Sequence, residues 1–146
     1  LVTLPAEYTD GRTQRLREEV AEAAIALFDA ARDDGVDFEA GSTYRSGPSQ
    51  QSIYLSAVDR SGLAQRYSAP PGHSEHQLGV TIDFFYPGGR FIGKNSAPHK
   101  WLQEHGEEYG FRQTYTADNV DETGYIEESW HWRYVGLEKE CAWWMY

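Results

Sequence analysis

Val80-Thr81-Ile82-Asp83-Phe84-Phe85, followed closely by Pro87-Gly88-Gly89, is the stretch on which the fold turns. It is rich in β-branched and aromatic residues and ends on a turn signal, so it predicts a strand closed by a tight turn. The Asp in its middle is anomalous. Burying an ionised carboxylate between Ile82 and Phe84 is costly unless a cation or a hydrogen-bond network offsets it. In a strand, Thr81 and Asp83 point to the same face. The stretch therefore predicts a sheet strand that delivers one acidic group to one side.

Outward from this strand, the chain alternates helical and extended patterns. From Asp10 to Asp34 it reads as an amphipathic helix, with Thr9 or Asp10 as cap and Gly35 as stop. Leu16, Val20, Ala24, Leu27 and Ala31 fall on one stripe of it. Val36 to Tyr44 reads as a strand entering the loop Arg45-Ser46-Gly47, and Pro48 suits the first turn of a second helix carrying Gln50, Ile53, Tyr54 and Ala57. Ala69-Pro70-Pro71-Gly72 is a loop. A third helix is expected from Ser96 to Tyr109, with Trp101, Leu102 and His105 inward and Gly110 ending it; Phe111–Tyr115 and Trp130–Val135 are further strands. Helices first and short strands later predict an α+β fold, with helices packed on a small, mostly antiparallel sheet. At 146 residues, positions 1–146 suit a single domain.

Composition narrows the chemistry. Apolar residues make up 40% and aromatics 14%, which argues for a packed core. A formal charge of −10 argues against nucleic acid as a partner, which selects for Lys and Arg patches. No apolar run approaches the ~20 residues of a transmembrane helix. The opening LVTLPAEYTDG has neither a basic start nor an apolar core, so no signal peptide is expected in it; with no initiator Met, it reads as the start of a mature or trimmed chain. Cys141 is the single cysteine, so any metal must be held by His, Asp or Glu.

Two polar clusters carry the candidate site: His73-Ser74-Glu75-His76, leading through Gly79 to Asp83, and Glu127-Glu128-Ser129-Trp130-His131-Trp132. A lone His beside aromatics is more often a packed or surface residue. Two such clusters within apolar, strand-like stretches are harder to assign to packing. His76, Asp83 and His131 would supply three ligands to a cation and leave a fourth position for water. Gly79 frees His76 from the alternation of the following strand, so it can turn toward Asp83. His131 and Arg133 share one face of the last strand, and Trp130, Trp132 and Tyr134 the other. Glu128 lies three residues before His131, an offset that lets it face the metal only if the strand bulges or starts after it.

These residues resemble the D-alanyl-D-alanine carboxypeptidases of the vancomycin-resistance type, zinc metallopeptidases of the superfamily that includes the hedgehog signalling domain. The matching pattern is Ser74-Glu75-His76, Gly79, Asp83, and then Glu128-Ser129-Trp130-His131. Upstream, Tyr44-Arg45-Ser46 and Gln50 agree, and so does the ending Trp132-Arg133-Tyr134-Val135-Gly136. The resemblance runs from about Leu16 to Gly136, with its motifs in the family's order. Two positions depart from it: Thr81, where the family usually has Ala, and Ser129, where many relatives have Pro.

The resemblance implies a hedgehog/D,D-peptidase-like fold and Zn2+ held by His76, Asp83 and His131. It implies Glu128 as catalytic base, with Arg45 sharing the charge of the tetrahedral intermediate or binding the substrate carboxylate. Ser74 and Gln50 would hold the C-terminal part of the substrate, while Tyr44, Trp130 and Trp132 are candidate walls; for Trp132 and Tyr134, core packing is an equal reading. The implied substrate is a peptidoglycan stem peptide or its precursor, ending in D-Ala-D-Ala. An L,D-carboxypeptidase acting on tetrapeptide stems would share every catalytic residue, and a non-catalytic metal- or ligand-binding module would have no need of Glu128. A cysteine hydrolase using Cys141 ranks well below, because that thiol has no nearby His and reads as buried. His73 reads as a surface residue, His99 and His105 as structural, and Asp118–Glu122 as a solvated loop without the calcium-loop pattern. The substrate favours the cell envelope over the cytoplasm.

Overall fold

In the computed structural model the described residues are 1–44, 78–116 and 127–136. The chain opens with a short antiparallel pair, β1 (Val2–Thr3) and β2 (Arg15–Leu16). Helix α1 (Glu18–Asp33) follows, then β3 (Glu39–Ser42), β4 (Thr81–Tyr86), β5 (Arg90–Phe91), helix α2 (Ala97–His105), β6 (Phe111–Gln113) and β7 (His131–Tyr134). The main sheet runs β3-β4-β7-β6, with β5 folded back on β4, and every named strand pair in it is antiparallel. This is the expected α+β arrangement.

Helix α1 is shorter than the periodicity predicts. It starts at Glu18, eight residues after Asp10, and Arg17 occupies its cap without a side-chain bond. Neither Thr9 nor Asp10 caps α1; Thr9 instead closes the 3-10 turn Ala6–Tyr8, its amide donating to the Ala6 carbonyl. Gly11 takes a positive φ of 95°, and the Asp10 carboxylate accepts from the Arg12 amide and from the side chains of Arg12 and Gln14. Leu16 is fully buried as expected, but from β2 and not from the helix. The far end is as read: Gly35 (φ 79°) donates to the Arg32 carbonyl and Val36 to that of Ala31, which closes the helix with a left-handed residue.

The core lies between α1 and one face of the sheet. Val20, Ala24, Leu27, Phe28 and Ala31 pack toward Ile82 and Phe84 of β4. Phe84 meets Phe28 and Phe38 edge-on, with centroids 5.7 and 5.2 Å apart. Trp101 of α2 joins this cluster and donates from Nε1 to Asp34 at 2.8 Å, tying the two helices together. Helix α2 is capped by Ser96, whose hydroxyl accepts from the His99 amide. It gives way to a 3-10 turn over Gly106–Tyr109 before Gly110, where one continuous helix was expected. Gly106 lets the Trp132 ring pack close there, since a Cβ would stand 3.0 Å from it, tighter than ordinary van der Waals contact.

Candidate active site

Strand β4 alternates as its sequence requires. Ile82 and Phe84 enter the core, which leaves Thr81, Asp83 and Phe85 on the opposite face. The β4–β7 register places Thr81 opposite Arg133, Ile82 opposite Trp132, and Asp83 opposite His131. Directly opposed side chains in an antiparallel pair are close neighbours. Asp83 and His131 use that proximity: the Asp83 carboxylate oxygen and His131 Nδ1 stand 3.0 Å apart, and both residues are 5% exposed.

Glu128 is positioned by a turn. His131 N donates to the Glu128 carbonyl at 3.3 Å, so residues 128–131 form a turn and β7 starts only at His131. That meets the second of the two conditions under which Glu128 can face the same point as His131. The turn is pinned from several sides. Glu128 N donates to the Tyr115 carbonyl at 3.0 Å, the buried Ser129 hydroxyl donates to the Ile92 carbonyl at 2.8 Å, and Trp132 Nε1 donates to the Ser129 carbonyl at 2.9 Å. Ser129 thus has a local reason to differ from Pro: its hydroxyl ties the turn to the segment after β5. The Tyr115 ring packs on the His131 imidazole at 4.8 Å.

The two tryptophans differ in exposure. Trp130 precedes the strand, is partly exposed and stacks on Phe91 at 4.7 Å; Phe91 in turn lies against Phe85 at 4.8 Å. Trp132 is 3% exposed and belongs to the core, so it is not a wall of the site, while Trp130 and Tyr134 pack against the edge of that same core, as their shared face implies. Tyr44 is partly exposed, with the Arg15 guanidinium 5.4 Å from its ring centre. His105 is half-buried beside Glu104 and Glu108, whereas His99 is fully buried. Arg45, Gln50, His73, Ser74, His76 and Cys141, the helix expected from Pro48, and the acidic stretch 118–122 lie outside the described residues.

The described donors suit zinc as far as they go. A carboxylate oxygen and an imidazole nitrogen match its preference for mixed O and N ligands, and at usual bond lengths two ligands of tetrahedral zinc stand about 3.3 Å apart. The observed 3.0 Å is close to that. Among the described residues no cluster of three His, Cys, Asp or Glu forms, in keeping with the position of His76 outside them.

Comparison with known proteins places this geometry in a family. The model of the VanY D-alanyl-D-alanine carboxypeptidase family matches residues 13–137, and the chain belongs to that family. A D-alanyl-D-alanine carboxypeptidase of Enterococcus faecalis is 36% identical over 152 residues, which cover 92% of this chain and 56% of that protein. The chain spans about half the length of the curated relatives it matches. Among solved structures, VanYB in complex with D-alanine-D-alanine has a TM-score of 0.77 at 33% identity, covering 85% of this chain and 74% of that one. A vancomycin-resistance D,D-pentapeptidase VanY variant in complex with Zn(II) gives 0.78 at 32%, covering 92% and 84%. The LD-carboxypeptidase LdcB gives 0.74 at 37%, covering 83% and 59%. The hedgehog/D,D-peptidase-like fold expected from the motifs is thereby borne out.

Proposed function

We propose that this chain is a zinc-dependent D,D-carboxypeptidase that hydrolyses the terminal D-Ala-D-Ala bond of peptidoglycan stem peptides. The observation that carries the reading is the buried Asp83–His131 pair, with Glu128 held on the turn that leads into it. In this reading His76, Asp83 and His131 would hold the metal, which when bound would polarise a carbonyl and lower the pKa of bound water to about 7. Glu128 takes the proton from the attacking water and returns it to the departing amine. Arg45 stabilises the oxyanion or grips the terminal carboxylate, Ser74 and Gln50 hold the C-terminal residue, and Tyr44 and Trp130 wall the site. The partly exposed position of Trp130 on Phe91 supports that role. Positions 1–146 act as one catalytic domain, and the substrate class favours work in the cell envelope. No helix among the described residues is long and apolar enough to cross a membrane.

An L,D-carboxypeptidase is a second reading, supported by the 37% identity to LdcB. Pentapeptide and tetrapeptide stems assayed side by side separate the two. A binding-only module is disfavoured, since it has no use for a base at position 128. The decisive experiment is Glu128→Ala. It should keep fold and zinc content while turnover drops by about 10²–10⁴, the usual worth of a positioned acid–base group. Full activity in that variant removes Glu128 as base, and wild-type activity that survives chelation removes the metal.

A further inference from the structure

Buried His99 is the start of a directed hydrogen-bond chain that ends on the backbone of the turn carrying Glu128. The Asn95 amide donates to His99 Nδ1 at 3.0 Å, His99 Nε2 lies 3.0 Å from Gln113 Oε1, and Gln113 Nε2 donates to the Tyr115 carbonyl at 2.8 Å. The two ends fix the protons independently. A backbone N–H can only donate, so Nδ1 is bare and the proton of a neutral ring sits on Nε2. A backbone carbonyl can only accept, so the Gln113 amide nitrogen faces Tyr115 and its oxygen faces His99. Both ends require the same arrangement, and aligned bonds of this kind polarise one another.

Tyr115 is where the chain meets the site. Its carbonyl accepts from Gln113 Nε2 and from the Glu128 amide, and its ring lies on the His131 imidazole. Two donors on one carbonyl fix the orientation of that peptide plane, and through it the height of the Glu128 backbone. On the reading of Glu128 as general base, we propose that Gln113, oriented by His99, is a positioning residue: it sets the Tyr115 peptide from which the Glu128 backbone hangs. Neither His99 nor Gln113 touches substrate in this role. His99 is itself fixed at the start of helix α2, where its backbone amide makes the cap bond to the Ser96 hydroxyl.

Gln113→Glu isolates the link. A glutamate still accepts from His99 Nε2, so no buried donor is orphaned, but an ionised carboxylate cannot donate to Tyr115. With a pentapeptide ending in D-Ala-D-Ala, the variant should lose at least about tenfold in kcat with KM within about twofold, because small misplacements of a reacting group are costly. Hydrogen exchange at the Glu128 amide, followed by NMR in the metal-free protein, should quicken about tenfold, a readout that needs no turnover. His99→Leu should behave like Gln113→Glu. His99→Gln, whose amide can still donate to Gln113, should stay near wild type on both readouts. Unchanged exchange at Glu128, a loss confined to KM, or equal behaviour of the two His99 variants would overturn the proposal. Full activity in Glu128→Ala would instead remove the base assignment, and the exchange experiment would still decide whether Gln113 positions the turn.

Discussion

The Thr81 side chain is fully buried and its hydroxyl has no hydrogen-bond partner among the described residues. It stands two residues before Asp83 on the same face of β4. An unpaired buried hydroxyl costs about 1–3 kcal/mol. Thr81→Val keeps the shape and removes the group, so urea unfolding of the metal-free protein should show a gain of about 1 kcal/mol or more. A loss of stability would mean that the hydroxyl is bonded after all; a gain accompanied by lower kcat/KM would mean that it serves the bound state. Single residues were legible in the sequence where they broke a pattern. Asp83 stood out because a carboxylate does not belong between Ile82 and Phe84. His99 did not, because its partners are a backbone amide and Gln113, and no spacing rule links positions 95, 99 and 113.

Elements were legible where period and punctuation agreed. Strand β4, its Pro87-Gly88-Gly89 turn and the Gly35 stop were all readable for that reason. The start of α1 was not, because Leu16 lies in helical phase with Val20 although it is buried from a strand. What overrides the helical phase is a polar clamp. Asp10 gathers Arg12 and Gln14, and both of those side chains reach on to the Gly41 carbonyl in the bulge of β3. Gly41 itself has no room for a Cβ beneath the Phe85 ring, so this edge of the sheet is closed by contact on both sides. Burial pushes the Asp10 carboxyl up, but its bonds to the Arg12 side chain, the Arg12 amide and Gln14 outweigh that and hold it below the ordinary value. The sign follows. A folded-state pKa below the unfolded ~3.9 gives stability that is complete above that value and is lost as pH falls through the lowered one. Asp10→Asn should therefore cost about 1–3 kcal/mol near neutrality, the worth of bonds to a charged group. Melting curves of the two proteins should converge once the pH has fallen through that lowered value. A gap that persists in acid would mean that the clamp works by shape and not by charge.

At the scale of the whole molecule, the proposed site joins parts of the chain that folding has already brought together. Asp83 and His131 are 48 positions apart in sequence and face each other across neighbouring strands. The unfolded chain has no such convergence, so a cation held there stabilises the native state by mass action, by about 4.1 kcal/mol when free metal exceeds its dissociation constant a thousandfold. For a chain of this size each kcal/mol moves the melting temperature by roughly 2–4 °C. Chelation should then lower the Tm of the wild type by about 8–16 °C, and zinc should restore it. The two roles assigned to the site separate in this measurement. His131→Ala removes a proposed ligand and should melt at the same temperature with and without zinc, whatever its own starting stability. Glu128→Ala removes only the proposed base, so it should keep most of the zinc-dependent rise while losing turnover. A wild type whose melting ignores both chelator and zinc would leave the Asp83–His131 pair as a buried hydrogen bond of the sheet, with no resident metal to explain its placement.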